Sequence, residues 1–301
     1  MFHFPTRPSI FLSAPRQGIG LDVGRQHLRL AVVRRSRSRL RLRGLAEHRF
    51  TQVICRRGRI TDLDLLCSAA RALLAQCRVD HGVLDTALGA HATCAVRLTL
   101  PAAGNDLQRL AQVQADMALR HALSQEERVA HYCVLGRAPA GGDDVRVLAL
   151  FPSLVDIEDR SALASSLRLR PGAIALRETR IAAFLRRAYQ APGAGVLHID
   201  LDDTWLDVPG QWAHQLDWSA QGEPSVTLLH ALAPLLQPAP QRLLLSGEAP
   251  MLASLAAVIG RYADLPTEVA TLPQGFLDSA DHDRPTPAFH AALALAAGAQ
   301  A

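Results

Sequence analysis

The chain has 301 residues, a formal net charge of +4 and a hydrophobic fraction of 49%, a composition typical of a globular protein with a substantial core. All 32 lysine-plus-arginine positions are arginine, which excludes a Walker A lysine, a Schiff-base lysine and a Ser-x-x-Lys dyad. Five cysteines without Cys-x-x-Cys spacing argue against a zinc ribbon or a disulfide framework, and the short apolar runs argue against a membrane span.

Apolar periodicity in the first two thirds of the chain alternates between the strand and the helix repeat. Residues 1–16 have three prolines and no clear period, so we predict a lead-in tail there. Strands are expected at residues 19–33 (a hairpin), 40–46, 86–89, 94–100, 128–135, 145–151 and 171–176. Helices are expected from Thr61, with Asp64 at the capping-box position, at 107–123, from Ser153 to about residue 167, and at 178–189.

The proline- and glycine-rich loop at residues 190–195 is the clearest boundary in the sequence. Beyond it we predict strands at 196–200, 204–208, 241–245 and 269–272, and helices at 225–236, 251–262 and 287–297. Both halves open in the same way, with an apolar strand, an aspartate and a turn into a second strand. This order of elements predicts an α/β fold.

Three turns carry residues suited to holding an anion or a metal ion. In the first, Gly24 would let backbone N–H groups approach an anion closely, and Asp22 could hold a hydrated magnesium ion. Asp200 opens the matching turn in the second half. Ser246 and Gly247 end an apolar strand where a ligand could rest on a helix N-terminus. Each turn taken alone is also explained by ordinary hairpin or strand-to-helix geometry.

Taken together, the order and spacing of these turns resemble the two phosphate loops and the adenosine loop of the actin-like ATPase superfamily. From about residue 18 to 298 the chain further resembles the PilM family, cytoplasmic actin-like proteins of type IV pilus assembly, in the opening hairpin, the strand ending at Pro101 and the helix that carries Glu178. The resemblance implies a two-lobed actin-like (ribonuclease H-like) ATPase fold with a subdomain inserted in the first lobe. The implied domains are a tail at 1–16, a first lobe at 17–192 with the insertion at about 90–170, and a shortened second lobe at 193–301.

The same resemblance implies a nucleotide cleft. Its lining residues would be Asp22, Gly24, Arg25, Gln26, Asp200, Asp202, Ser246 and Gly247, with Asp22 and Asp200 next to magnesium if Mg-ATP binds. The first loop departs from the family pattern because Arg25, Gln26 and His27 stand where small hydroxyl residues are usual.

The other two loops also depart from the pattern, since Asp202 and Glu248 stand where the family has glycines. Both changes place a carboxylate against phosphate. Arg25 could attract phosphate, or it could fill the cleft and pair with Asp200 or Asp202. We therefore expect a degenerate ATP-binding site with no catalytic residues and no cofactor, and we keep bound ATP and magnesium as the alternative.

The function implied by the resemblance is a scaffold of type IV pilus assembly, cytoplasmic and peripheral to the inner membrane. Its partners would be the pilus assembly platform and the N-terminal cytoplasmic tail of a PilN-type inner-membrane protein. That tail would dock between the strand at 93–100, the helix at 107–121 and the first-lobe sheet. Two alternatives stay open: an active ATP-binding or ATP-hydrolysing actin-like protein, and a cytoplasmic platform component of a related type II secretion system.

Residues 34–43 include six arginines. In an extended chain, every second side chain would point to one side and form one basic face. Those side chains are Arg35, Arg37, Arg39, Arg41 and Arg43. The face is either a solvated or guarded sheet edge, or a contact with an anionic membrane surface. Aromatic residues make up 5% of the chain and none interleaves with these arginines, so nucleic acid is not an expected partner.

Overall fold

The computed structural model describes residues 17–36, 39–56, 58–89, 92–120, 127–138, 144–200, 204–211, 213–216, 226–248, 251–278 and 285–298. Its strands are β1 (Gln17–Val23), β2 (His27–Ser36), β3 (Arg39–Arg49), β4 (Cys55–Arg56), β5 (Arg59–Ile60), β6 (Val83–Leu88), β7 (Thr93–Pro101), β8 (His131–Arg137), β9 (Asp144–Pro152), β10 (Arg170–Leu176), β11 (Gly195–Ile199), β12 (Thr204–Asp207), β13 (His214–Leu216), β14 (Leu243–Gly247), β15 (Thr267–Val269) and β16 (Leu277–Asp278). Its helices are α1 (Leu63–Gln76), α2 (Asp106–Arg120), α3 (Leu154–Ser166), α4 (Arg177–Ala188), α5 (Val226–Leu235), α6 (Leu252–Ala263) and α7 (His290–Gly298).

The first sheet has six strands in the order β10-β6-β1-β2-β3-β16. The first three strands of the chain form an antiparallel meander, and β6 and β10 add to it in parallel through crossover helices. Strands β1 and β2 are buried over most of their length, as a sheet covered on both faces requires, whereas β3 alternates buried leucines with exposed arginines near its start. On one face α1 and α3 cover a core that includes Ile19, Leu30 and Leu66.

The second sheet has five strands in the order β13-β12-β11-β14-β15. Helices α5 and α6 cover one of its faces with a leucine-rich core. Its other face shares a core with the first sheet, because Val196 and Leu244 belong to the same cluster as Val33 and residues of α4 and α7. The two sheets are therefore joined through α4 and α7. Close packing of α7 explains Gly20, since a Cβ there would overlap the helix backbone.

A smaller sheet, in the order β7-β9-β8, lies within the stretch predicted as an insertion. Helix α2 covers one of its faces and gives it a core of its own around Val113, Met117 and Phe151. Because β7 pairs with β9 and stands last in the sheet order, its other edge faces away from this sheet.

Most predicted elements are present within a few residues of their expected limits, and Ser153 caps α3 as expected, with its hydroxyl accepting from the Asp156 N–H. The expectation for α1 was wrong in detail. Asp62, not Thr61, caps this helix, because its carboxylate accepts from the Leu65 N–H at 2.9 Å. The last strand of the second sheet ends at Val269 instead of beginning there. The predicted tail at 1–16 lies outside the described residues. Among the residues that the structure describes, no helix is long and apolar enough to cross a membrane.

The expected arginine face also needs correction. The chain turns back between β2 and β3, so Arg34 lies directly opposite Arg41, whereas Arg35 lies opposite the buried Leu40. Arg35 therefore belongs to the other face of the sheet. Arg37, a further member of the predicted face, lies outside the described residues.

Candidate functional site

A cleft of about 830 Å³ opens at the end of the first sheet where β1 turns into β2, and Asp200 and Glu248, which follow strands of the second sheet, form part of its wall. Its lining is strongly charged, with five arginines and three acidic side chains. They are Arg25, Arg49, Arg56, Arg160 and Arg177, and Asp22, Asp200 and Glu248. The sequence-predicted residues Asp22, Gly24, Arg25, Gln26 and Asp200 all meet in this cleft.

The turn between β1 and β2 is shaped around a histidine. The Gly24 N–H donates to the His27 carbonyl at 3.0 Å, and a Cβ at position 24 would overlap the His27 ring. The imidazole thus occupies the space that a phosphate would need to approach the Gly24 backbone. The tip of the turn is anchored by the exposed Arg25, whose carbonyl accepts from the Ile54 N–H at 2.8 Å.

His27 stands between two carboxylates of the cleft. Its Nε2 lies 3.8 Å from an Asp22 oxygen, and its Nδ1 lies 3.7 Å from a Glu248 oxygen. Burial favours the neutral form of Asp22, but His27 and Arg177 outweigh it and hold the pKa of this carboxyl below its ordinary value. Asp22 is therefore ionised at neutral pH and compensated by side chains of the chain itself.

The second predicted aspartate has two such partners. Arg177, the first residue of α4, donates from Nη1 to Asp200 at 3.2 Å, and Nε2 of His198 lies 3.0 Å from the same oxygen. Burial alone would raise the pKa of Asp200, yet the charge and hydrogen bond of His198 and the charge of Arg177 lower it far below its ordinary value. Arg177 thus makes the pairing with Asp200 that the sequence analysis offered as one of two possible roles of Arg25.

Ser246 does not line the cleft but sits behind it in a buried chain of polar groups. Its hydroxyl lies 3.1 Å from Nδ1 of His198 and 2.9 Å from Nδ1 of His290, and all three side chains are almost completely buried. Burial, together with neighbouring His198, lowers the pKa of His290 to about 3, so this imidazole is neutral. Gly247 continues the strand at a positive φ of 114°, where a Cβ would overlap the Ile199 carbonyl.

The side chain of Arg160 was not predicted from sequence, although it lines the same cleft. It is 2% exposed and donates to three carbonyl oxygens, those of Ala87 at 2.7 Å, Gly58 at 2.9 Å and Asp156 at 3.0 Å. It therefore ties the end of β6 and the turn between β4 and β5 to α3. Its four-residue spacing from Asp156 is the one sequence signal, and that spacing is common on exposed helices.

The two aspartates are a poor fit to a magnesium ion. Magnesium prefers oxygen ligands and retained waters, whereas Asp22 and Asp200 face imidazole and guanidinium groups. No cluster of three or more His, Cys, Asp or Glu side chains suited to a metal ion occurs among the residues that the structure describes. Asp202, the remaining predicted residue, lies outside them.

A second cavity, of about 510 Å³, lies between β7 and α2 in the smaller sheet. Leu98 and Leu100 of the strand and Leu119 of the helix give it apolar walls, and Arg97 and Asp116 add one charge of each sign. The strand and the helix predicted to form part of a docking groove thus line a cavity. None of the residues that line this cavity belongs to the first sheet, which was predicted to form its third wall.

No protein-family model and no curated protein matches the chain. Among solved structures, a chain of the PilM–PilN type IV pilus biogenesis complex has a TM-score of 0.77 at 18% identity, with 94% of this chain and 98% of that chain covered. The ethanolamine utilization protein EutJ from Carboxydothermus hydrogenoformans has a TM-score of 0.52 at 10% identity, over 94% of this chain and 90% of that one.

A third similar structure is the cytoplasmic domain of EpsL, an inner-membrane component of the type II secretion system of Vibrio cholerae. Its TM-score is 0.52 at 10% identity, over 94% of this chain and 95% of that one. At identities this low, structural similarity shows the fold alone. The predicted actin-like ATPase fold is confirmed.

Proposed function

We propose that this chain is a PilM-like scaffold of type IV pilus assembly that binds the N-terminal cytoplasmic tail of a PilN-type inner-membrane protein. The observation that carries the proposal is the extent of the structural similarity. The TM-score to the PilM–PilN complex chain is 0.77, against 0.52 for the two other structures, and it extends over nearly the whole of both chains. In this role the protein acts in the cytoplasm at the inner membrane.

The groove between β7 and α2 is the proposed docking site. Leucines of both elements supply apolar walls for anchor side chains, and the outer edge of β7 can accept a further strand through main-chain hydrogen bonds. Leu119 supports this role because 84% of its side chain is exposed, a large apolar surface for a soluble helix.

A peptide titration tests the proposal. A fluorescent synthetic peptide with the tail sequence of the PilN-type protein from the same genome is titrated with the full chain, and saturable binding is expected. Leu119→Asp should weaken it at least ten-fold, because the change puts a charge on the apolar wall. Leu107→Asp is the matched control, since Leu107 is also exposed on α2 but does not line the groove. Absence of binding, or equal weakening by both substitutions, would refute the proposed site.

We further infer that the cleft does not support ATP hydrolysis. Phosphoryl transfer depends on metal ions and cations placed against the phosphates. In this cleft His27 fills the space over Gly24, and Arg177 and His198 already compensate Asp200. The scaffold role needs no hydrolysis, so the two parts of the proposal agree.

A further inference from the structure

One end of the first sheet, opposite the charged cleft, is basic. Six exposed arginines lie there, contributed by four separate segments of the chain. They are Arg34, Arg41, Arg43, Arg78, Arg168 and Arg170, and together they are called the basal face. The cleft lies at the other end of β1, a strand of seven residues, so about 20 Å separates the two features.

The register of the sheet brings three of these arginines, Arg34, Arg41 and Arg170, to one end of the sheet. Arg34 lies opposite Arg41 on one side and opposite Gln17, the first residue of β1, on the other. Arg170 lies opposite Val83, the first residue of β6. Four strand spacings separate β10 from β3, so the basal face is about 19 Å wide.

The loops between helices and strands complete this face. A Cβ at Gly44 would lie 2.9 Å from the sulfur of Cys77, so the end of α1 is packed on β3 and Arg78 follows directly. The loop after it is fixed to the sheet edge, because the Arg170 N–H donates to the Gly82 carbonyl at 3.2 Å. The loops that carry Arg78 and Arg168 therefore lie at the same end of the sheet as the strand ends that carry the other arginines.

Few acidic groups offset this charge. In the described parts of these segments, Asp278 lies opposite Arg41, and Asp80 lies 2.5 Å from His81. Among the described residues of these segments and of β16, two carboxylates thus stand against six guanidinium groups. Neither of the two cavities described above reaches this end.

We propose that the basal face binds the surface of an anionic phospholipid bilayer. A basic surface of this width matches a layer of anionic headgroups, and each basic residue held near such a surface strengthens binding about five-fold. The segments that carry these arginines, residues 27–36, 39–49, 77–82 and 167–170, contain no phenylalanine, tyrosine or tryptophan on which bases could stack. This disfavours single-stranded nucleic acid as the partner. This interaction goes beyond the proposed peptide partner and does not use the groove.

Co-sedimentation of the full chain with vesicles tests the proposal. Binding is expected to vesicles of phosphatidylcholine with one third phosphatidylglycerol, to be absent with phosphatidylcholine alone, and to decrease as salt is added. The triple variant Arg34→Gln, Arg43→Gln, Arg170→Gln should lose about 100-fold in affinity.

The control removes the same three charges elsewhere, with Arg146→Gln, Arg187→Gln and Arg261→Gln, all exposed residues outside the basal face. It should bind vesicles like the unmodified chain, and both variants should keep their circular dichroism spectrum and their peptide binding. Equal loss in the two variants would show that net charge alone is responsible and would overturn the proposal. So would failure of the unmodified chain to bind anionic vesicles, or tighter binding to a DNA or RNA oligonucleotide than to vesicles.

Discussion

Arg29 of β2 and Glu248, which follows β14, form a buried ion pair that links the first sheet to the second sheet. The Arg29 guanidinium also donates to Glu47 at 3.0 Å and to the Ala288 carbonyl at 3.1 Å, and only 1% of the side chain is exposed. Burial works against the charged form of Arg29, yet Glu248 and the neighbouring aspartates raise its pKa above the ordinary value. Glu248, the carboxylate that the sequence analysis expected to face phosphate, is thus bound by the chain itself.

Removing one partner of this pair should be strongly destabilising. Arg29→Met leaves the Glu248 carboxylate buried without its main cation, and we expect a loss of about 3–5 kcal/mol in the free energy of unfolding. The double variant Arg29→Met, Glu248→Leu should lose much less than the sum of the two single changes. Urea denaturation of the unmodified chain, the two single variants and the double variant measures the coupling energy between the two side chains. Strictly additive losses would show that the pair does not link the two sheets.

The buried His290 should make stability depend on pH. Its pKa is about 3 in the folded protein, against an ordinary value near 6.5, so below pH 6.5 the unfolded chain takes up a proton that the folded chain refuses. The free energy of unfolding should therefore fall by up to about 1.4 kcal/mol per pH unit between pH 6 and pH 4 on account of this residue. His290→Gln should flatten the decline measured by urea denaturation, whereas His48→Gln, at an exposed site, should not. Identical slopes in the three proteins would contradict this assignment.

Gly24 should matter for packing against His27. Gly24→Ala is expected to cost about 1–3 kcal/mol of stability, because the new methyl group overlaps the imidazole. Adding His27→Ala should recover much of the loss by vacating that space. Gly89→Ala is the control, since a Cβ there meets only one carboxylate oxygen at 3.8 Å. Thermal unfolding of these variants provides the measurement, and no recovery in the double variant would rule out His27 as the reason for the glycine.

Most of the helices and strands could be predicted from the sequence. Long strands with alternating or continuous apolar residues and capped amphipathic helices have patterns that are visible in the local sequence. It missed β4, β5, β13 and β16, which have two or three residues each and are too short to show a strand repeat; β16 is also defined by a distant partner, β3. It also placed Arg35 on the wrong face, because the alternation rule was applied across a turn between β2 and β3.

The cleft was predicted in position but not in its ionic partners. Asp22 and Asp200 could be recognised from their turns, whereas Arg177 is one of four arginines of α4, and Arg160 is the single arginine of α3, in a helix recognised only from its cap and apolar residues. Which of these reaches the cleft depends on how β10 and α4 join the sheet. Tertiary packing decides that, and no local pattern encodes it.

Mg-ATP should therefore bind weakly or not at all. A triphosphate entering the cleft would have to displace the His27 ring from Gly24 and pass Glu248, and a magnesium ion would compete with Arg177 and His198 for Asp200. Isothermal titration calorimetry should show no saturable heat with Mg-ATP at concentrations up to about 1 mM, which corresponds to a binding free energy weaker than about −4 kcal/mol. Release of phosphate from ATP should equal that of a no-protein blank. A dissociation constant in the low micromolar range that disappears with Asp22→Ala, but not with the remote Asp207→Ala, would instead identify a functional nucleotide site and favour the ATPase alternative.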